Sequence, residues 1–419
     1  MRIYTLKQKF LDNLVVFMLI MSSGGLLFVF NRNISYIIFS IILGLSFLLI
    51  RKNVFKTNFY SSIITTLILF GLFIINYLFA ENEQELNKYY YYFMIISISV
   101  FSLLYFANNK NQLLLSLYRV LQMIVAHSLF NFIMFFFIKD NLAVISSTYH
   151  ECETFLNLFF YTTERGILTF LNIDICRNQG LFWEPGVLQV FLNIYFFLEA
   201  FIFKKSKFIL VLASIAIVTT YSTTGIGLLI IQSLVYIQQE LKKSKWFILL
   251  FILLTIPIIM LFNLNVEEKF QGEKEFSFQK RFFDLTQPLF IAAEYPLTGI
   301  GLDIDQFQAM REEFYFSSDN LKVLRQKIGV ASKMNGTDKG SSNSIMFLFA
   351  SMGFPTAILF LYMFFHQQII NDNKWLLMII MVISVMSEPL LLRPFFFIFI
   401  VSGFTHFFHR ITSHKQQLS

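Results

Sequence analysis

Apolar residues in this chain come in long blocks separated by short polar connections. A membrane-crossing helix takes about 20 mostly apolar residues. Blocks of that character lie near 13–30, 35–50, 60–79, 90–107, 113–138, 183–203, 208–220, 223–238, 246–262, 343–365, 374–389 and 394–409. The pattern therefore predicts about 12 transmembrane helices. The blocks at 208–220 and 223–238 are short, and they read either as two half-length spans or as one broken pair. The first block carries "SSGG" at 22–25 inside it.

The blocks divide the chain into five parts. Residues 1–138 hold helices one to five, 139–182 form a loop, and 183–262 hold helices six to nine. Residues 263–342 form a large loop, and 343–419 hold the last three helices and a tail. Loops this long carry a function or a structure of their own. Within the larger one, "FQKRFFDLTQPLFIAAEYP" at 278–296 repeats Phe282, Leu285, Leu289 and Ala292 or Ala293 at helical spacing, and Pro296 closes it. Such a helix lies on a membrane surface or folds back on the bundle.

Charge orients the spans. Arg2, Lys7 and Lys9 precede the first block. Later alternate connections carry Arg51, Lys52 and Lys56; Lys110; Lys204, Lys205 and Lys207; Lys242, Lys243 and Lys245; Lys374; and Arg410 and Lys415. Basic residues mark the cytoplasmic side, so both termini are expected there and both long loops outside. The connection "ENEQELNK" at 81–88, on the opposite side, is acidic. Composition agrees: 56% of residues are apolar and only 14% charged, against about 25% charged in soluble domains. The net charge of +7 follows from topology and does not indicate nucleic acid. Cys152 and Cys176 share one external loop and are either a disulfide or two separate thiols.

The candidate chemistry sits at the outer boundary. "CRNQGLFWEPG" at 176–186 carries Arg177 and Glu184. Glu184-Pro185 reads as a helix start, since proline suits the first turn and an acid suits the dipole. It also reads as an anion-binding arginine beside an acid or base. "TTYSTTGIG" at 219–227, with Thr224, is either a tight interhelical turn or exposed backbone that a substrate can approach. Lys280 and Arg281 fall near the outer headgroups, and Asp303 and Asp305 of "DID" form an acidic pair of the kind that holds a metal, or simply a solvated loop. Ser342 and Asn343 precede "SIMFLFASMGFPT", where the chain re-enters the membrane. Glu388 and Arg393 of "SEPLLLRP" lie between the last two spans and are a salt bridge or a functional pair. His127 reads as a hydrogen-bonded core residue, and Arg119 is close enough to its span's end to snorkel. No Walker loop, dinucleotide fingerprint, CxxC or HExxH occurs.

The order "RNQGLFWEPG", "YSTTGIG", "QKRFF…YPLTGIGLDIDQF", "SN" followed by "GFPT", and "SEPLLLRP" resembles the Wzy-type O-antigen polymerase and O-antigen ligase superfamily of bacterial envelopes, most strongly from 177 to 394. The resemblance implies an all-α, GT-C-like polytopic membrane protein with a large external loop containing helices. It implies metal-independent, inverting transfer of a glycan from undecaprenyl diphosphate, on the periplasmic side of the inner membrane, without a cofactor. It gives Arg281, then Arg177 and Arg393, to the diphosphate, with Lys280, Thr224, Ser342 and Asn343 as further binding residues. Glu184 and then Glu388 become the proton acceptors. Implied partners are a lipid-linked oligosaccharide, membrane lipids and a chain-length regulator. The ligase branch typically has histidine where this chain has Ser342, and "RNQGLFWEPG" is more like the polymerase branch, so polymerase is favoured. A ligase using lipid A–core as acceptor is the alternative, and a lipid-linked oligosaccharide flippase a further one.

Overall fold

A computed structural model describes residues 6–50, 56–147, 150–163, 167–170, 173–240, 275–317 and 341–417. These residues are mostly helical, and they contain six helices long and apolar enough to cross a membrane: Arg32–Leu49, Asn58–Phe79, Leu86–Phe106, Lys110–Asn141, Pro185–Phe203 and Ser344–Phe365. Lys207–Thr219 and Lys374–Ser387 are shorter apolar helices. This is a polytopic membrane architecture with fewer full-length spans among the described residues than the 12 expected. The expected span at 246–262 lies outside the described residues, as do 263–274 and 318–340 of the large loop. The chain divides into two compact units.

Unit 1 comprises 1–51, 109–267 and 370–384. Its helices are α1 (Leu6–Met21), α2 (Leu26–Phe30), α3 (Arg32–Ile50), α6 (Lys110–Ile138), α7 (Pro185–Phe197), α8 (Lys207–Thr219) and α9 (Thr223–Glu240), with most of α13 (Lys374–Ser387). Long α6 packs on α1, α7 and α8. The single span expected at 13–30 is broken, because Ser22–Gly25 separate α1 from α2. Gly25 forms a bridge with Phe182, Leu26 N–H donates to Leu181 O at 2.9 Å, and Trp183 N–H donates to Gly24 O at 3.3 Å. A Cβ on Gly24 would press on Phe182 at 3.3 Å and on the Val187 side chain. The glycines thus admit the 181–183 segment.

The all-α expectation needs correction at 139–182. Strands β1 (Ala143–Ser146), β2 (Glu151–Phe155) and β3 (Phe159–Tyr161) form an antiparallel sheet, and β4 (Ile167–Phe170) pairs with β5 (Ile173–Cys176). Along β2 burial alternates, with Cys152 and Thr154 inward, as a half-buried strand requires. The two cysteines are free and buried in separate apolar clusters, Cys152 with Leu26 and Phe160, Cys176 with Phe135 and Tyr161.

Unit 2 comprises 52–108, 268–369 and 385–419. It holds α4 (Lys56–Phe79), α5 (Leu86–Phe106), α10 (Glu275–Glu294), α11 (Ile304–Ser317), α12 (Ser344–Phe365) and α14 (Pro394–Gln417). Helix α14 packs on α4, α5 and α12, and α10 packs on α11 and α12. The expected amphipathic helix exists as α10, but its buried face is differently phased. Leu285 and Leu289 are exposed, while Phe283, Asp284, Gln287, Ile291 and Ala292 are buried. Polar burial wins because Asp284 and Gln287 have a buried guanidinium to bind.

Candidate functional site

In unit 2 three of the motifs meet at the start of α12. Asp284 and Gln287 lie one helical turn apart, so both point to one side of α10. Arg311 of α11 reaches them: Nη2 donates to Asp284 Oδ1 at 2.8 Å and Nε to Gln287 Oε1 at 2.8 Å. Asp284 is 0% and Arg311 1% exposed. A buried charge pair is tolerated only when its remaining lone pairs are also satisfied. Here the other carboxylate oxygen, Oδ2, accepts from Ser342 N–H at 2.9 Å and Ser342 Oγ at 2.6 Å. Arg311 also lies over the Phe307 ring, 5.4 Å from its centroid.

Asn343 caps α12, its Oδ1 accepting from Met346 N–H at 3.1 Å. One residue on, Ser344 Oγ donates to Glu388 O at 2.7 Å and accepts from Leu390 N–H at 2.9 Å. The "SEPLLLRP" turn is therefore fastened to the same helix end. Glu388 is buried, and the Arg393 guanidinium donates to Tyr91 Oη. Arg281 is exposed, one turn before Asp284 on α10. Lys280 is on the same helix, with its side chain outside the described set.

The glycine motifs have a structural role in unit 2. Helix α12 breaks at Gly353 (φ 73°, ψ 169°), and segment 296–301 docks into the break. Ile300 N–H donates to Ala350 O (2.9 Å), Gly301 N–H to Ser351 O (3.0 Å), and Phe354 N–H to Pro296 O (2.8 Å). Asn76 Nδ2 donates to Thr298 O and Ser351 O at 2.6 and 2.9 Å, and Tyr89 Oη donates to Asn76 Oδ1 at 2.6 Å. A broken helix at membrane depth needs such replacement partners for its freed backbone groups. Asp303 and Asp305 both face Lys88, whose Nζ lies 3.5 and 3.4 Å from their oxygens. Asp303 Oδ1 also accepts from Asp305 N–H at 2.9 Å. An ion pair occupies this acidic pair, and among the described residues no group of three or more metal-ligating side chains occurs.

Unit 1 holds Arg177, Glu184 and Thr224. Arg177 Nε donates to Thr220 O at 3.2 Å. Next to it, Asn178 is a buried junction: Nδ2 donates to Ser128 O (2.8 Å) and Thr219 Oγ1 (3.0 Å), and Oδ1 accepts from Asn131 Nδ2 (3.2 Å) and Gly180 N–H (3.1 Å). Much of "RNQG" thus ties the β region to α6 and the α8–α9 turn. Glu184 stands at the N-cap of α7 with Pro185 at its first position, yet its side chain makes no cap bond. Instead Glu184 Oε1 accepts from Trp183 Nε1 at 2.8 Å. Burial lowers the pKa of His150, and the charge of Glu184 partly opposes this. Thr224 is half-buried in the first turn of α9. His127 is hydrogen-bonded as expected but half-buried: Nε2 is 2.9 Å from Leu158 O and the ring stacks on Phe159.

Sequence reasoning missed Asp284 and Arg311. The available signal was the pair of polar residues at i and i+3, Asp284 and Gln287, on the same stripe of the helix as apolar Ile291. No curated protein and no solved structure matches the chain. Residues 208–361, which include Thr224, Arg281, Asp284, Arg311, Ser342 and Asn343, match the family model Wzy_C, described as O-antigen ligase, and that match supports the chain's membership of the Wzy and O-antigen ligase superfamily.

Proposed function

We propose that this protein is a glycan polymerase of the bacterial inner membrane. It transfers a growing glycan from undecaprenyl diphosphate to a lipid-linked repeat unit on the periplasmic side, with both termini cytoplasmic. The observation that carries the reading is the family match over 208–361, a segment that contains the Asp284, Arg311 and Ser342 cluster. Family members are glycosyltransferase-like and act on lipid-linked glycans. In the inverting reaction, the acceptor hydroxyl oxygen bonds to the anomeric carbon as the glycosyl–phosphate bond breaks. The electron pair leaves with the diphosphate and a carboxylate takes the hydroxyl proton.

In unit 2 the diphosphate falls to Arg281 first and Arg393 second, because guanidinium pairs bidentately with phosphate and keeps its charge. Lys280 adds charge there, Asn343 holds the start of α12, and Glu388 is the candidate base. Unit 1 supplies separate candidates, Arg177 for an anion, Glu184 for a proton and Thr224 for a hydroxyl contact. No metal is required when arginines stabilise the leaving diphosphate. Ser342, at the position of the ligase branch's histidine, favours the polymerase. The ligase reading is second and rests on the description of the matching family. Deleting the gene tests the choice: a polymerase mutant displays single repeat units in place of long chains, whereas loss of even single units means ligation or flipping. Arg281→Ala and Glu184→Gln are expected to abolish elongation at normal expression, and full activity in either removes that residue from the mechanism.

A further inference from the structure

The hydrogen-bond polarity at Ser342 defines which part of a substrate this residue can meet. A carboxylate has no donor of its own and accepts at both oxygens. Asp284 Oδ1 is taken by Arg311 and Oδ2 by the backbone N–H of Ser342. At 2.6 Å, the contact between Ser342 Oγ and Oδ2 has the length of a charge-assisted O–H···O⁻ bond. The hydroxyl carries one proton, and that proton is committed to Asp284. What remains on Ser342 Oγ is acceptor capacity only. The side chain is half-buried, so it retains a face for a second group. A diphosphate offers acceptors and would find no donor there. A sugar hydroxyl offers a donor and fits.

We infer that the buried Asp284–Arg311 pair is a positioning device that fixes Ser342 Oγ as a hydrogen-bond acceptor for a hydroxyl of the acceptor sugar, not for the diphosphate. The inference rests on the glycan-transfer reading of this site and adds the substrate group that Ser342 recognises. Arg311 keeps Asp284 in place through Oδ1 while Gln287 holds the guanidinium's other edge at Nε. Asp284 then sets both the backbone and the side chain of the residue at the mouth of α12.

The test uses full-length protein in nanodiscs, with donor and acceptor varied independently, and with both a lipid-linked repeat unit and lipid A–core as acceptors. Ser342→Ala leaves the Asp284–Arg311 pair intact. It is expected to raise KM for the acceptor about tenfold, the loss of roughly one hydrogen bond, with donor KM within about twofold of wild type by the same scale. Ser342→Thr keeps a hydroxyl and is expected to restore most of the acceptor affinity. A parallel rise in donor and acceptor KM, an unchanged acceptor KM, or no rescue by Thr would overturn the inference. If the wild-type protein uses lipid A–core and not the repeat unit, the polymerase reading fails. The Ser342 effect is then read on that second acceptor and stands or falls by itself.

Discussion

Gly299→Ala probes the clasp between segment 296–301 and the broken α12. Gly299 has φ +67°, and a Cβ there would meet the main chain of Ala350 and Ser351, with Ser351 C and O at 2.6 and 2.7 Å. Backbone atoms of a packed helix cannot swing aside as a flexible side-chain tip can. A left-handed conformation costs a non-glycine residue about 1–2 kcal/mol. The flanking bonds Ile300 N–H to Ala350 O and Gly301 N–H to Ser351 O are worth about 1 kcal/mol each when lost. The sum, about 3–4 kcal/mol, is a large part of a typical net stability of about 5–15 kcal/mol. Gly71→Ala is the control in the same unit. It sits inside α4 with nothing within 4 Å of its Cβ, and gains up to about 1 kcal/mol from helix propensity. Melting of the detergent-solubilised protein should fall by several degrees for Gly299→Ala and hold or rise for Gly71→Ala. Equal melting temperatures for Gly299→Ala and wild type would refute the close-approach reasoning.

Asp284→Ala strands the buried Arg311 and should cost about 3–5 kcal/mol, whereas Asp284→Leu combined with Arg311→Met should recover much of the stability while keeping an acceptor KM raised by about tenfold, as in Ser342→Ala. Thermal melts and acceptor kinetics on the two variants separate structure from function. Burial pushes both thiols up to about 12 from 9.0, in Cys152 with help from Glu153 and Glu151. The thiolate is the reactive form, so neither should alkylate in the folded protein at pH 8, and mass spectrometry should find both alkylated after denaturation. Because these folded-state values are raised, the unfolded chain loses its thiol protons first. Stability from this source is full below pH 9 and declines as pH rises from 9 toward 12. A chelator should leave elongation by the purified protein unchanged, and strong inhibition would return Asp303 and Asp305 to the mechanism as metal ligands.

The spans were legible because hydrophobic blocks of helical length carry their own signal, and α3 to α6, α7 and α12 fall where the pattern put them. The break at 22–25 was hidden, because "SSGG" interrupts an apolar run too briefly to show without the bridging segment at 181–183. The β region at 143–176 was missed since its strands run three to five residues, too short for alternation to stand out. On α10 the stripe through Phe282, Leu285 and Leu289 has helical spacing, but Leu285 and Leu289 are exposed and the buried side runs through Phe283, Asp284 and Gln287. Long-range partners, above all Arg311 for Asp284 across 27 positions, leave no local pattern. The motif residues were legible by type and order. What sequence could not give was their division, with Arg177, Glu184 and Thr224 in one unit and the remainder in the other.

The most direct measurement is reconstitution. Purified protein in liposomes is supplied with one defined lipid-linked repeat unit and no other enzyme, and the products are resolved by length. The account predicts a ladder of chains that disappears in Arg281→Ala and is impaired in Arg281→Lys, since lysine lacks the bidentate contact. A wild-type protein that leaves the repeat unit unextended, yet attaches it to lipid A–core, would contradict the polymerase claim.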